Sequence, residues 1–514
     1  MDRSLLKSLL KPDAYPESVH SVTMIQTHVS WIFLTDSHAY KIKKPVDFGF
    51  LNFSTIDRRR FYCNEEVRLN RRLCPDIYEG VVEVREAPGG AAFHGSGPVI
   101  DHAVMMKRLP ADGMLDRMVD ERRAGGDELR RVAEAIARFH AAAPTSPAAA
   151  GFGSPERVMT NWRENFEQAV PFVGATISER ACSAIHDWVD LFSHANRELF
   201  ERRMAGGFVR ECDGDIHLEN ICLDGDNIHI FDCIEFSDRF RCSDTAADIA
   251  FLLMDLDFHG RPDLASEVLE AYLSASGDRE IVALIDFYKI YRAFVRGKVE
   301  SLLARDPGLA QPEAKKTGVR AARYFRLARG YVERLRRPAA LYITCGLMGS
   351  GKSTLAEQLG FELGIPLFSS DATRKRLAGV SSDTRADDAF GSGLYTPAAT
   401  AATYAELLRL AGDSLRRGKG AIIDASFIRR ADRDAAAGLA HCHGVPLVII
   451  EAHCPHDLLM RRLAERRDSI SDGRPELLER QAACFEPPSG QEGLLVQFTQ
   501  DDSVDEIYER LPSC

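Results

Sequence analysis

Two short apolar runs alternate with polar positions near the start of the chain, at residues 29–34 and 39–43. Both are rich in β-forming residues, and the polar residues between them are typical of a turn, so the pattern predicts a β-hairpin. Alternation along the second strand places Lys41 and Lys43 on one face. A lysine in this position either pairs with a phosphate or is a solvated residue that protects an edge strand, and the hairpin alone favours the second interpretation.

Apolar residues at spacings of three and four predict a helix over residues 55–73. Glu65 or Glu66 lies on its apolar face, where an unpaired charge is costly, and Lys41 is the obvious partner for either glutamate. In kinases a strand lysine paired with a helix glutamate holds the phosphates of ATP, so we predict that Lys41, Glu65 and Glu66 bind ATP. Residues 21–43 contain no glycine, and this lack of a Gly-rich loop favours a kinase that acts on small molecules.

Polar residues with the spacing of a kinase catalytic loop follow in the same half of the chain. Asp215 and Asn220 are separated as in the loop H-R-D-x-x-x-x-N, where the aspartate accepts the substrate hydroxyl proton and the asparagine holds magnesium. Asp232 ends the next β-prone run, and carboxylate and amide oxygens suit Mg²⁺. We predict that Asp215 is catalytic and that Asn220 and Asp232 bind the metal. The alternative is that these residues form local turns between strands.

The other half of the chain contains a β-prone run, residues 341–345, that leads into a glycine-rich loop and then an apolar helix. A phosphate-binding loop requires this context, because glycines let successive N–H groups surround the phosphates and the helix N-terminus adds positive potential. Lys352 supplies a point charge with a catalytic role, and Ser353 would bind Mg²⁺. The predicted nucleotide-binding residues are Gly346, Gly349, Ser350, Gly351, Lys352, Ser353 and Thr354.

Two further β-prone runs in this half end in aspartates, Asp371 and Asp424. Ligands gather at the carboxyl ends of strands in parallel α/β sheets, so both aspartates should face the loop. Asp371 is predicted to act catalytically by accepting a proton from the acceptor hydroxyl, and Asp424 to bind Mg²⁺ or substrate. The helix after residues 446–452 carries Arg462 and Arg466, which would bind ATP as part of a lid or would form a basic surface.

The length of 514 residues exceeds what one hydrophobic core usually supports. Pro338 disfavours continuation of the helical stretch before it, so we predict two domains, residues 1–337 and 338–514. The first is expected to be a bilobal, protein-kinase-like α+β fold. The second is expected to be a three-layer α/β fold with a parallel sheet, as in NTPases with a phosphate-binding loop.

Charge and composition exclude several classes of partner. The chain has 65 Lys and Arg against 76 Asp and Glu, and this net charge of −11 opposes attraction to nucleic acid or anionic lipid. No run approaches the roughly 20 apolar residues of a membrane span, and residues 1–19 lack the apolar core of a secretory signal. We expect a cytoplasmic protein with reduced thiols and a small hydroxylated substrate, whose oligomeric state the sequence does not indicate.

The sequence Asp213-Gly-Asp215-Ile-His217-x-x-Asn220, followed by Ile230-Phe-Asp232, resembles the motif H-G-D-x-H-x-x-N and then I-D of the aminoglycoside phosphotransferase family. The resemblance covers most of residues 1–335. It implies that Asp215 is the catalytic aspartate, that Asn220 and Asp232 hold magnesium, and that Lys41 contacts ATP. Asp213 replaces the first histidine of the motif, and an extra carboxylate raises local pKa values unless a metal neutralises it. This departure implies weak activity or none in the first half.

The other half resembles the small phosphate-binding-loop kinases that include gluconate kinase, shikimate kinase and zeta-toxin-like proteins. The two halves together resemble bacterial fusions of an aminoglycoside phosphotransferase and an ATP-binding protein. The leading hypothesis is therefore an ATP- and Mg²⁺-dependent phosphotransferase that acts on hydroxyl groups of small molecules. The alternative hypothesis is a nucleotide-operated regulatory protein with an N-terminal pseudokinase and a C-terminal NTP-hydrolysing or toxin-like kinase domain.

Overall fold

The computed structural model describes residues 3–49, 51–381, 395–465 and 475–511. The chain divides into two compact units, Met1–Ser178 with His186–Phe325, and Glu179–Ile185 with Arg326–Cys514. The predicted domain boundary at 337/338 lies next to the end of the long helix α13, Gln311–Arg336, whereas the compact units divide inside that helix. The domain limits therefore stay a prediction.

The strands are numbered along the chain. They are β1 (Thr23–Gln26), β2 (Ser30–Leu34), β3 (His38–Lys43), β4 (Tyr78–Ala87), β5 (Gly90–Ala92), β6 (Val99–Lys107), β7 (Val209–Glu211), β8 (Ile221–Asp224), β9 (Asn227–Ile230), β10 (Cys242–Asp244), β11 (Leu341–Cys345), β12 (Leu367–Ser369), β13 (Ala421–Asp424), β14 (Leu447–Ala452) and β15 (Leu494–Phe498).

The helices are numbered in the same way. The first ten are α1 (Arg3–Ser8), α2 (Ile56–Asn70), α3 (Leu115–Asp120), α4 (Gly126–Ala142), α5 (Pro147–Ala150), α6 (Pro155–Ala169), α7 (Glu179–Ala195), α8 (Arg197–Ala205), α9 (Asp238–Arg241) and α10 (Thr245–Phe258). The others are α11 (Pro262–Ser276), α12 (Val282–Ala304), α13 (Gln311–Arg336), α14 (Lys352–Leu363), α15 (Ser370–Leu377), α16 (Pro397–Arg416), α17 (Arg430–Cys442), α18 (His456–Glu465), α19 (Pro475–Ala483) and α20 (Val504–Arg510).

The first unit begins with a six-stranded antiparallel sheet in the order β1-β2-β3-β6-β4-β5. The predicted hairpin is confirmed, because β2 and β3 pair with Leu34 opposite Ala39. The predicted helix that follows is confirmed as α2, which packs on β4 and β6. It begins at the N-cap residue Thr55, whose side chain accepts a hydrogen bond from the N–H of Arg58.

Helices make up most of the remainder of the first unit. Every residue of α10 is buried, and this helix packs against α11 and α12. Trp162 on α6 is fully buried against Phe287 and Phe294 of α12. Two small antiparallel pairs, β7 with β10 and β8 with β9, cross this region and carry the connecting segments on which the predicted catalytic residues lie.

The second unit has a parallel five-stranded sheet in the order β12-β13-β11-β14-β15. Side chains alternate along β11, so Leu341 and Ile343 pack in one apolar cluster with α16 and α17, whereas Tyr342 packs in another with α14 and α20. The predicted three-layer α/β architecture with a parallel sheet is confirmed for this unit. Among the described residues, no helix combines the length and apolar character that a membrane crossing requires.

Candidate active sites

A buried ionic cluster joins β3 to α2 in the first unit. Lys41 Nζ lies 2.9 Å from Glu66 Oε1 and also contacts the carboxylate of Asp232. Lys43 Nζ donates to Glu66 Oε2 at 2.5 Å and contacts Glu235. The side chains of both lysines and both glutamates are buried. Lys41 and Lys43 lie on the same face of β3, and α2 packs so that Glu66 forms ion pairs with both of them.

The pairing decides between the two glutamates that the sequence left open. Glu66 lies on the buried face of α2, whereas Glu65, one helix step away, points outward and binds Arg68 at 2.8 Å. The prediction that Glu65 contributes to the ATP site is therefore not supported by the geometry, because adjacent helix positions differ by about 100° in direction. Lys43 and Glu235 were missed, although the alternation that selected Lys41 also pointed to Lys43.

Opposing effects set the charges in this cluster. Burial raises the pKa of the Glu66 carboxyl, but the adjacent ammonium groups of Lys41 and Lys43 lower it by a larger amount. The pKa of Glu66 is therefore well below the ordinary value. Burial outweighs the attraction of Lys43 at Glu235 and raises the pKa of that carboxyl. Lys41 keeps its charge, because the neighbouring carboxylates overcome burial and raise its pKa. A cation suited to a phosphate therefore lies beside the exposed carboxylate of Asp232.

The catalytic-loop residues are brought together by backbone pairing. Asn220 Nδ2 donates to both the carbonyl and Oδ2 of Asp215, each at 3.1 Å. The N–H of Phe231 donates to the carbonyl of Asn220 at 3.0 Å, which places Asp232 next to this residue. Asp232 has a φ of 66°, a left-handed conformation that costs a non-glycine residue on the order of 1 kcal/mol. The geometry groups Asp215, Asn220 and Asp232 as the sequence predicts.

Asp215 is surrounded by positive charge. Its Oδ2 lies 3.6 Å from Nε2 of His217. Burial raises the pKa of Asp215, but the hydrogen bond from His217 and the charges of His217, Arg296 and Arg292 outweigh it, so the pKa is below the ordinary value. The same pairing raises the pKa of His217 against the effect of burial. Asp215 is therefore ionised and able to accept a hydrogen bond from a hydroxyl group.

Asp213, which stands where the aminoglycoside phosphotransferase motif has its first histidine, accepts a hydrogen bond from the segment that carries Asp215. Its Oδ1 accepts the N–H of Asp215 at 3.2 Å. Asp248 in turn accepts the N–H groups of Asp213 and Gly214, at 3.0 and 2.8 Å, and contacts His140 at 3.1 Å. Burial and the charge of Asp248 raise the pKa of Asp213 well above its ordinary value. The carboxyl at this position supplies an acceptor oxygen for the N–H of Asp215, and its raised pKa favours the neutral form.

The glycine-rich loop of the second unit connects β11 to α14. Gly346, Gly349 and Gly351 all have positive φ, at 130°, 81° and 94°. A Cβ at Gly346 would lie 2.7 Å from the carbonyl oxygen of Ala452, so a side chain is excluded there. Lys352 Nζ donates to the carbonyl of Leu347 at 2.6 Å, across the loop. The backbone and this lysine together form the cradle that the sequence predicts.

The first turn of α14 supplies the other predicted loop residues. Ser353 and Thr354 are exposed, whereas Ser350 is buried and its hydroxyl lies 3.3 Å from Lys352 Nζ. Arg462 on α18 donates to the carbonyl of Gly349 at 3.4 Å. The second predicted arginine, Arg466, lies outside the described residues. An arginine is therefore held against the loop, as expected for a group that neutralises phosphate charge.

Asp424 and Asp371 differ in their positions along the sheet. Asp424 ends β13 next to the central strand, and its Oδ1 accepts the hydroxyl of Thr344 on β11 at 3.1 Å. Asp371 does not end a strand as predicted, because β12 stops at Ser369 and Asp371 lies in the first turn of α15. Ser369 is the N-cap of that helix, a role that serine favours, and this ends the strand early. Asp371 lies beyond the edge strand, two strands from the loop.

One further residue at the loop escaped the sequence analysis. Gln481 on α19 is buried, and its Oε1 accepts the N–H of Met348 at 2.8 Å. The two residues are separated by 133 positions, so no local pattern indicated the contact.

One family model and several relatives match this chain. A family model described as "AAA domain" matches residues 341–488. The uncharacterized proteins Rv2004c of Mycobacterium tuberculosis and Mb2027c of Mycobacterium bovis are each 30% identical to this chain over 472 residues, which is 92% of either sequence.

Solved structures resemble parts of the chain at low identity. A choline/ethanolamine kinase family protein from Mesorhizobium loti matches 63% of this chain and 98% of its own, with 12% identity and a TM-score of 0.38. A gluconokinase from Sinorhizobium meliloti 1021 matches 34% of this chain and 90% of its own, with 21% identity and a TM-score of 0.25.

Proposed function

This chain belongs to the same family as the uncharacterized mycobacterial proteins, and we propose that it is an ATP- and Mg²⁺-dependent phosphotransferase acting on hydroxyl groups of small molecules. The observation that carries the proposal is the loop between β11 and α14. Its three left-handed glycines, the lysine across it and the arginine on α18 form a cradle for a polyphosphate. Backbone N–H groups and a helix N-terminus stabilise negative charge in such a cradle.

We assign a separate proposed role in phosphoryl transfer to each site residue of the second unit. Lys352 and Arg462 lie where they would neutralise phosphate charge. Ser353 and Asp424 offer oxygen ligands at the loop, which fit Mg²⁺, and the metal when bound would reduce the negative charge of the phosphates. Asp371 is proposed to contact the acceptor hydroxyl, from the first turn of α15.

The first unit is proposed as a second kinase site. Lys41, held by Glu66, would bind ATP phosphates, and Asn220 with Asp232 would bind Mg²⁺. Asp215 would accept the proton of the acceptor hydroxyl. The hydroxyl oxygen attacks the γ-phosphorus, the bond from that phosphorus to the bridging oxygen breaks, and ADP leaves.

The support that Asp213 gives to the backbone of Asp215 favours an active site here over the pseudokinase alternative. The carboxyl at position 213 retains a hydrogen-bond acceptor for the catalytic segment, so the substitution of the family histidine does not leave Asp215 without a positioning partner.

The test uses the full chain with Mg-ATP and a pool of hydroxylated metabolites. Lys352→Ala should lower acceptor-dependent turnover at the second site by at least about 100-fold, the scale of losing one group that stabilises transition-state charge. Exposed Lys419→Ala is the matched control and should retain activity. Turnover that remains in Lys352→Ala and disappears on adding Asp215→Asn would assign the first unit.

Two results would refute the proposal. Full phosphotransfer in the doubly substituted chain would place the activity elsewhere. ATP hydrolysis by water with no phosphorylated acceptor would favour the alternative, in which the second unit hydrolyses nucleotide as a switch and the first is a pseudokinase.

A further inference from the structure

A cavity of about 310 Å³ in the first unit contains Asp215 in its wall. This volume lies at the lower end of the range for small-molecule pockets, roughly 300 to 1,000 Å³. The cavity lies among α6, α12 and the segment that leads into β10, and its aromatic wall includes Phe236, Phe251 and Tyr291. It is therefore of a size and lining that suit the carbon skeleton of a small metabolite beside the proposed base.

Helix α12 supplies three of the four cations that the described residues place in the wall of this cavity. Arg292, Val295, Arg296 and Val299 occupy positions i, i+3, i+4 and i+7 on one face of the helix, and all four line the cavity, as does Lys298. Three cations thus project from a single helix toward the space that contains Asp215. This side of the cavity therefore carries positive charge.

The other acidic residues of the wall are already neutralised. Glu164 forms two hydrogen bonds with Arg239, at 2.9 and 2.8 Å. Asp244 is buried and bound by Arg203 at 2.7 Å. Asp215 is the remaining carboxylate of the wall, and it faces the three cations of α12.

Among the described residues, the hydrogen-bond partners of Lys298 are neutral. Its Nζ donates to Asn165 Oδ1 at 2.6 Å and to Gln168 Oε1 at 2.7 Å, and within the described chain no carboxylate forms an ion pair with it. Burial lowers the pKa of Lys298 to about 8, although the more distant charge of Glu164 acts in the opposite direction. A bound anion would therefore stabilise the charged form of this ammonium group.

Arg296 is held by longer contacts. Its NH2 atom lies 3.4 Å from Glu219 and 3.8 Å from Glu300, but Glu300 is bound more closely by Arg320, at 2.6 Å. The buried Nε atom of Arg296 has no hydrogen-bond partner among the described residues. A buried donor left unpaired is costly, so this atom also favours an incoming acceptor group.

We propose that the acceptor of the first unit is a small hydroxylated anion, whose carboxylate or phosphate binds Lys298 and Arg296 while its hydroxyl lies at Asp215. The inference rests on the proposed kinase function of this unit and adds the chemical class of its substrate. The hydroxyl oxygen bonds to the γ-phosphorus of ATP, its proton passes to Asp215, and ADP carries away the electrons of the broken bond. A polycationic acceptor such as an aminoglycoside would meet the cations of α12 instead.

The test compares four hexose derivatives of similar size that differ in charge: gluconate, glucose 6-phosphate, sorbitol and glucosamine. Binding is measured by titration calorimetry on the full chain carrying Lys352→Ala, which weakens phosphate binding at the second unit. At least one of the two anions should bind about 10-fold or more tightly than sorbitol, and glucosamine should bind most weakly. Separate values for the carboxylate and the phosphate identify the anion.

Substitutions at Lys298 link the binding to this cavity. Lys298→Met should remove the margin of the anion over sorbitol, whereas Lys316→Met, at an exposed lysine of α13, should not. Lys298→Arg should retain the margin and abolish the decline in affinity expected above pH 8, where the lysine loses its proton. This conservative variant also separates a binding role from a role in folding.

Each outcome is decisive. Equal or tighter binding of sorbitol or glucosamine, no binding of any hexose, or an anion affinity unchanged by Lys298→Met would overturn the inference. Phosphotransfer to the preferred anion that is lost in Asp215→Asn completes the assignment. Anion binding through Lys298 without Asp215-dependent phosphotransfer would instead reject the kinase function of this unit and retain the anion site.

Discussion

Glu362 is buried on α14 in the second unit, and its replacement by glutamine should make that unit more stable at alkaline pH. The side chain is 2% exposed. Its Oε2 accepts the hydroxyl of Tyr508 at 2.7 Å, and its Oε1 accepts Nε2 of Gln358 at 2.8 Å. The nearest cation, Arg326, is 3.9 Å away. Two neutral donors and one distant charge do not compensate for burial, which raises the pKa of Glu362 from 4.5 to about 7.

The sign and size of the effect follow from proton linkage. Between pH 4.5 and 7 the folded state binds a proton that the unfolded state has released, so the stability contribution of Glu362 is complete below pH 4.5 and is lost as the pH rises through 7. Glutamine imitates the neutral form at every pH. The variant should therefore exceed the wild type in unfolding free energy by about 1 kcal/mol at pH 5 and about 3 kcal/mol at pH 8.

Hydrogen exchange measured by mass spectrometry can follow the second unit alone. Peptides from β11 and β13 report on its opening, and comparison of variants at the same pH cancels the intrinsic exchange rate. The three tryptophans, Trp31, Trp162 and Trp188, all lie in the first unit, so their fluorescence is an internal control that should not change.

Glu357→Gln, at an exposed position of the same helix, is the matched control and should leave the pH dependence of the wild type unchanged. Equal protection of β11 in the wild type and in Glu362→Gln at both pH values would refute the reasoning. It would mean that the carboxylate of Glu362 is solvated or paired in the folded state.

Two further predictions concern the first unit. Asp213→Asn keeps an acceptor for the N–H of Asp215, so the rate of phosphotransfer by this unit should remain within about threefold of wild type, a change of less than 1 kcal/mol. Asp213→Leu removes the acceptor and should reduce that rate by at least about tenfold. Equal rates in the two variants would show that Asp213 has no positioning role. Glu66→Gln leaves two buried lysines without their shared carboxylate and should destabilise this unit by about 3–5 kcal/mol in urea unfolding followed by tryptophan fluorescence. Glu65→Gln, at the half-buried neighbouring position, should cost less than about 1 kcal/mol. Similar losses in both variants would contradict the burial of the cluster.

The phosphate-binding loop illustrates what sequence can predict. Its strand, its glycines and its helix are contiguous between Leu341 and Leu363, so short-range geometry alone determines how they follow one another. The same holds for the hairpin of β2 and β3, whose alternating residues and polar turn require no distant contact. In these segments the chemistry depends on neighbours within a few residues, and the predictions agree with the structure.

Errors arose where a local pattern had more than one three-dimensional outcome. The β-prone run before Asp371 predicts a strand that ends at this aspartate, but Ser369 caps a helix that begins at the next residue. Glu65 and Glu66 are adjacent in sequence, and only the packing of α2 on the sheet determines which of them meets Lys41. The periodicity of apolar residues predicts which side of the helix is buried, but it does not distinguish between two adjacent residues at the border of that side.

Long-range pairs lay beyond any local pattern. Lys43 and Glu235 are 192 positions apart, and Arg203 and Asp244, which neutralise each other beside the cavity, are 41 apart. The cavity itself exists only because α6 and α12 pack near the segment that carries Asp215. The sequence by itself determined the residue types and local elements that handle phosphate, since these depend on backbone conformation over short stretches. The tertiary structure decided which charges remain unpaired at the acceptor cavity, because that depends on packing between distant helices.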